Sequence, residues 1–175
     1  MFTRRSPARV LFYSAFYRLP FSVRHRLVRL TVPKYIVGAV TLVRDAEAES
    51  PGRLLLLRQP PARRGWGLPA GLLARREPPA VGAARELAEE TGIRLAPERL
   101  RPAVPNAIVH PKGWVDIVFE VEVPASTTTL TVDGAEVKEA AWHPIDNLPR
   151  LTSHTARLLA EYGIGPLAAP GDGTR

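Results

Sequence analysis

Residues 71–93 run GLLARREPPAVGAARELAEETGI and carry the marks of both ends of a helix. Pro79 suits a first helical turn, where its missing N–H leaves no bond unmade and its φ is already set. Gly92 suits the left-handed residue that stops a helix. A helix over residues 79–91 follows, and on it Glu86, Glu89 and Glu90 stand at i, i+3 and i+4, within about 100° of one another. Val81, Ala84, Leu87, Ala88 and Thr91 fall on the opposite side, as a stripe for a core. Three carboxylates so spaced repel by about 0.2 to 0.5 kcal/mol per pair, a cost that solvent tolerates and a bound divalent cation reverses.

On either side of this helix the texture alternates between sheet and helix. Residues 35–44 (YIVGAVTLVR) and 53–58 (RLLLLR) read as strands joined by a polar turn over 45–52. A loop over 59–67 carries Pro60, Pro61, Arg63, Arg64 and Trp66, and a short segment over 68–73 leads into the helix. Three further strands are expected at 101–110, 115–123 (VDIVFEVEV) and 135–143 (AEVKEAAWH). Glu120 and Glu122 alternate with Phe119, Val121 and Val123, which marks a solvent face, and Asp116 is placed on the same face. A last helix over 152–162 precedes a Gly/Pro/Ala tail, 164–175, expected to be loose. The organisation predicted is a basic helical extension at 1–34, one domain at 35–163 and the tail.

A chain of 175 residues is long enough for one domain with a substantial core. At 45% hydrophobic and 23% charged residues it is not a disordered chain. With no cysteine, disulfides, thiolate metal sites and cysteine nucleophiles are excluded together, and any metal must bind oxygen or imidazole; the composition fits a reducing cytoplasm. The net charge of +7 is local. Residues 1–34 hold eight of the 24 Lys and Arg and none of the 17 acids, leaving 16 bases against 17 acids in the body. The body therefore has no electrostatic case for binding nucleic acid.

The basic segment reads as two amphipathic helices, 8–18 and 22–30, separated by Pro20, with Ser22 placed to cap the second. In the second, Val23, Leu27 and Leu30 share a face while Arg24, His25, Arg26 and Arg29 spread over the other. Such a segment packs on the domain, packs on a second copy to make a homodimer, meets an anionic surface or serves in targeting. Its apolar run, 10–17, is too short to span a bilayer.

An acidic helix face on its own is usually a solvated one. Here the flanks say more. Gly71, five residues, Glu77, seven residues, Arg85-Glu86-Leu87, one residue, Glu89-Glu90, one residue and Gly92-Ile93 resemble the box of the Nudix hydrolase family at all nine specified positions. The likeness continues more loosely over residues 35–162, through Trp66-Gly67-Leu68-Pro69-Ala70 before the box and the stretch 136–142 after it. Ala70 departs from the pattern, since many members have a second glycine there.

The resemblance implies an α/β fold, an α/β/α sandwich around a mixed sheet, and Mg²⁺ or Mn²⁺ as cofactor. It also implies cleavage of the diphosphate linkage of a small-molecule nucleoside diphosphate derivative by water attack at phosphorus. Glu86, Glu89 and Glu90 correspond to the metal-binding, catalytic glutamates, with the Ala70 carbonyl beside them, and either Glu86 or Glu90 to the base. Gly71, Glu77, Arg85 and Gly92 correspond to the supporting frame, and Glu136 to a further acid that some members bring to the metal. Hard cations want oxygen ligands, and carboxylates on a rigid helix leave positions for water and phosphate oxygens.

Arg58, Arg63 and Arg64 either clasp substrate phosphates or are solvated loop charges, and Trp66 either stacks on a base or packs in the core. His25, His110, His143 and His154 lie far apart in sequence and show no metal spacing. No glycine cradle of the P-loop kind is present, so phosphate recognition falls to metal and arginine. Two other readings stay open: a catalytically silent nucleotide-binding or regulatory module, and a domain tethered to membrane or nucleic acid by its basic segment.

Overall fold

The computed structural model describes residues 7–60, 64–111 and 113–169. It divides into two units, Met1–Lys34 and Tyr35–Arg175. The first holds helices α1 (Pro7–Arg18) and α2 (Phe21–Thr31). Pro20 occupies the position before α2 without a side-chain cap, so Ser22 lies inside the helix rather than capping it. Rings four residues apart stack along α1, Phe12 on Phe16 and Tyr13 on Tyr17.

The second unit is built on a seven-stranded mixed sheet. Its strands are β1 (Ile36–Asp45), β2 (Arg53–Arg58), β3 (Trp66–Gly67), β4 (Ala70–Leu72), β5 (Arg101–His110), β6 (Trp114–Val123) and β7 (Glu139–Pro144). The order is β3-β2-β1-β6-β5, with β4 paired to β1 and β7 to β2. β1 runs parallel to β6 from Ile36 to Asp45. Its other edge is shared, Gly38–Val40 pairing with β4 and Arg44 with β2. The split beside β4 receives the box helix. β5 is an outer strand, where Pro102 and Pro105 leave no central ladder bond unmade.

Helices α3 (Pro79–Thr91) and α4 (Ser153–Ala160) cover opposite faces. Ala39, Val43, Leu55 and Phe119 pack with Ala83, Ala84 and Leu87 of α3. Val40, Leu42, Leu54, Leu56 and Val118 pack with Leu158 and Leu159 of α4. Adjacent residues of one strand thus enter different cores, which is why RLLLLR is apolar throughout instead of alternating. The result is the expected α/β/α sandwich.

Several sequence expectations are corrected. The strand expected from 135 starts at Glu139, because the Asp133 carboxylate accepts the N–H groups of Ala135, Glu136 and Val137 and holds them in a turn. Val81, assigned to the buried stripe of α3, is exposed, and Gly82, Ala83 and Glu90 are buried with Ala84, Leu87 and Thr91 instead. Asp116 is buried, not on a solvent face. Ile164, assigned to the tail, packs in the core under α4. Among the described residues no helix is long and apolar enough to cross a membrane.

Candidate functional site

The end of α3 fixes the site. Gly92 takes φ 78°, and its N–H bonds to the Ala88 carbonyl, so the chain turns away after Thr91. Thr91 donates from its hydroxyl to the Leu87 carbonyl and accepts the Ile93 N–H, both inside the core. A terminus held this firmly presents the acidic face of the last two turns in one orientation.

The three helix glutamates have three different environments. Glu89 is the outermost, its side chain 59% exposed. Glu86 lies against the backbone of β4, and a Cβ built on Gly71 would stand 1.9 Å from its carboxyl carbon. Only glycine leaves that space. Glu90 is 6% exposed and accepts the Ala70 N–H at 2.8 Å and the Gln59 amide at 3.3 Å. Burial pushes its carboxyl up to about 7; the Ala70 N–H opposes this, while the charges of Glu86 and Glu136 add to it. Glu136, in the turn before β7, is brought to the same cleft as Glu86, Ala70 and Gly71, although about fifty residues separate it from α3 in sequence.

Arg85 ties the loop to the helix. Its Nε and Nη2 donate to the two Glu77 oxygens at 3.0 and 3.1 Å, and Nη2 also donates to the Leu72 carbonyl at 3.1 Å. Nη1 donates to Glu86 at 2.7 Å and to Glu89 at 3.1 Å. Glu77 accepts the Ala74 N–H as well, and the bonds from Arg85 and Ala74 hold its carboxyl down to about 2. One guanidinium fork thereby orients two of the acidic side chains and closes the loop before the helix.

The residues expected on the substrate side separate. Arg64 lines a cavity adjoining the Glu86 cleft, the two sharing Gln59, Ala70, Trp114 and His154. Arg58 is paired with Glu139 at 3.1 Å. Trp66 packs edge-on against His143, with ring centroids 4.4 Å apart, and joins the core under α4. Arg63 lies outside the described residues.

Sequence reasoning missed a second polar cluster on the same cleft. Asp116, 2% exposed, accepts from Trp114 Nε1 at 2.7 Å on one oxygen. Its other oxygen lies 3.0 Å from His110 Nε2 and 2.7 Å from His154 Nε2. Burial works against its charge, but the bonds from His154 and Trp114 and the charges of both histidines outweigh it and hold the carboxyl below its usual range. Gly38 makes room: a Cβ there would stand 3.0 Å from Asp116 Oδ1 and 3.3 Å from the Gly71 carbonyl. No spacing signal joins His110 to His154; the only local hint was a charged residue at the start of an apolar strand.

A family model described as a NUDIX domain matches residues 34–162. The chain belongs to the Nudix family. It is 33% identical over 111 residues to a CMP-5'-(N-acetyl-N-hydroxy-3-aminopropyl)phosphonate hydrolase of Streptomyces rubellomurinus, covering 62% of this chain and 52% of that one. It is 35% identical over 126 residues to a MutT-like protein of Streptomyces ambofaciens, covering 70% and 77%. The chain therefore spans about half the length of the first relative and three quarters of the second. The crystal structure of a MutT NUDIX hydrolase from Burkholderia pseudomallei superposes with a TM-score of 0.59 at 26% identity, over 73% of this chain and 98% of that one. The Nudix box of this chain is the stretch 71–93, and the sheet and helices around it have the fold of these neighbours.

Proposed function

We propose that the chain is a Nudix pyrophosphohydrolase that uses Mg²⁺ or Mn²⁺ to cleave the diphosphate-type linkage of a nucleoside diphosphate derivative. The observation that carries this reading is the convergence of Glu86, Glu90 and Glu136 beside the glycine notch of β4, with Glu89 tied to Glu86 through Arg85. The donor set fits a hard divalent cation: it is all oxygen, and the charges of Glu86 and Glu136 add to the burial that raises the Glu90 carboxyl. The Glu86, Glu89 and Glu90 carboxylates would hold the cation, with Glu136 and the Ala70 carbonyl next to them. When bound, it supplies charge neutralisation for the phosphate oxygens and acidity to water.

The remaining work belongs to the chain. Glu86 lines the cleft whereas Glu90 lies beneath it. Glu86 therefore takes the proton as the water oxygen attacks phosphorus and the bond to the leaving phosphoryl oxygen breaks, and Glu90 anchors the site from below. Arg85 keeps the Glu86 carboxylate aimed, and Arg64 offers a guanidinium to a phosphate on the cleft wall. The relative named for a CMP-linked phosphonate supports a substrate in which a nucleoside phosphate is joined to a second phosphorus acid.

A Mg²⁺-dependent turnover panel tests this, run over CMP-linked phosphonates, ADP-ribose, dinucleoside polyphosphates, oxidised nucleotides and capped RNA ends. Glu86→Gln and Glu90→Gln are assayed alongside. At least about 100-fold loss of turnover is expected in one of them, the order that removal of a base or metal ligand costs. Turnover of the best substrate by both variants at the wild-type rate would end the catalytic reading.

A further inference from the structure

The cluster around Asp116 has the composition of a metal site distinct from the box. His110 stands at the end of β5, Asp116 near the start of β6 and His154 in the first turn of α4. Each offers one ligand atom, and these atoms all lie within 4.8 Å of one another. The His110 side chain is 10% exposed and that of His154 49%, so the cluster is rooted in the core and open on one side. That side faces the cleft that also holds Glu86 and Glu136.

We propose that His110, Asp116 and His154 bind a divalent cation of the borderline class, of which Zn²⁺ is the type, leaving a fourth position open toward the cleft. The donor chemistry separates this site from the box: two imidazoles and one carboxylate suit Zn²⁺, while an all-oxygen set suits Mg²⁺. The geometry is close to what such a cation needs. Ligand bonds of about 2.0 to 2.2 Å at tetrahedral angles place ligand atoms roughly 3.3 Å apart. The histidine nitrogens stand 3.0 and 2.7 Å from Asp116 Oδ2, just short of that spacing, so the ion enters in place of the two N–H protons as the nitrogens move outward from the carboxylate. Trp114 occupies the other Asp116 oxygen, which fixes the carboxylate plane and leaves one oxygen for the metal, as outer partners of metal ligands do. Gly38 keeps the facing strand bare at this point.

The site is tested on the full chain with Co²⁺ as a coloured probe, in excess Mg²⁺ so that the box carboxylates are occupied. One Co²⁺ per chain is expected, with the strong visible absorption of a four-coordinate, imidazole-ligated ion. The band is expected to persist in Glu86→Gln and to vanish in His154→Asn, whose side chain is half-exposed and whose replacement the fold tolerates. Zn²⁺ affinity falls at least about tenfold in the same variant. Asp116→Asn is a poorer choice because the residue is buried. A measurement needing no variant is imidazole ¹⁵N NMR of the wild type, where Zn²⁺ is expected to shift the His110 and His154 Nε2 resonances and leave those of His25 and His143 in place. Absence of the band, its survival in His154→Asn, its loss in Glu86→Gln alone, or unmoved His110 and His154 resonances would each overturn the site and leave a hydrogen-bonded triad. None of these readouts depends on turnover, so the box hydrolase reading stands or falls separately.

Discussion

Gly71 shows how far one missing methyl reaches. The Glu86 carboxyl occupies the space a Cβ would fill, and that carboxyl is the far end of a flexible side chain that can move. Gly71→Ala is therefore expected to change stability little but to displace Glu86, lowering Mn²⁺ affinity and turnover by about 10- to 100-fold, the range for loss of ligand orientation. Titration calorimetry beside thermal unfolding checks both halves. Glu90 is the second case. Its ordinary value of 4.5 is raised to about 7 by burial, so the folded chain holds that proton more tightly than the unfolded chain does. The contribution is full below about pH 4.5 and is lost as the pH rises through 7, at most about 3 kcal/mol in the metal-free protein. Glu90→Gln removes it. Denaturant unfolding in chelator, from about pH 4.5 to 8, is expected to show the variant gaining stability relative to wild type as the pH rises. Cation affinity should climb over the upper part of that window, since the ion competes with the proton.

At the scale of elements, the site is a contact between α3 and the loop from β4, and Arg85 is its clasp. Five hydrogen bonds from one guanidinium reach Glu77, Leu72, Glu86 and Glu89. A point charge on a flexible stem cannot reproduce that fork. Arg85→Lys and Arg85→Ala are therefore both expected to lower Mg²⁺ affinity about tenfold while leaving Leu87 and the core packed. Faster amide exchange over residues 72–77 is the accompanying sign. Rescue by lysine would show that charge alone is needed there. The boundaries of α3 were legible because Pro79 and Gly92 act locally. Those of β7 were not, because Asp133 competes for the N–H groups that a strand would use. Thr152, by contrast, the expected first residue of the last helix, caps α4 through its own side chain, so the helix starts one residue later at Ser153.

For the whole molecule, among the described residues the members of both cores follow Lys34. Removing residues 1–34 is expected to leave the sandwich folded and its cation affinity within about twofold of the full chain; circular dichroism and Mn²⁺ titration measure this. Insolubility of the shortened chain would mean that the extension covers part of the body, and loss of a salt-sensitive association with intact turnover would mean a tether.

The sequence by itself determined the individual strands and the box helix, and the sandwich only through the family resemblance that the box carries. The strands and the helix rest on short-range signals: alternation in strands, a 3.6-residue period, a proline and a glycine at helix ends, and carboxylates one turn apart. These act within about twenty residues, and their spacing is set by the backbone alone. Only the tertiary structure decided that Glu136 lines the same cleft as Glu86, that Trp66 packs against His143, and that His110, Asp116 and His154 meet. The period-two reading put Asp116 in solvent because it could not foresee α4 folding back over that face of β6. Such meetings depend on which elements cover which face, and that is fixed when the two cores close, not by any local preference of the residues concerned.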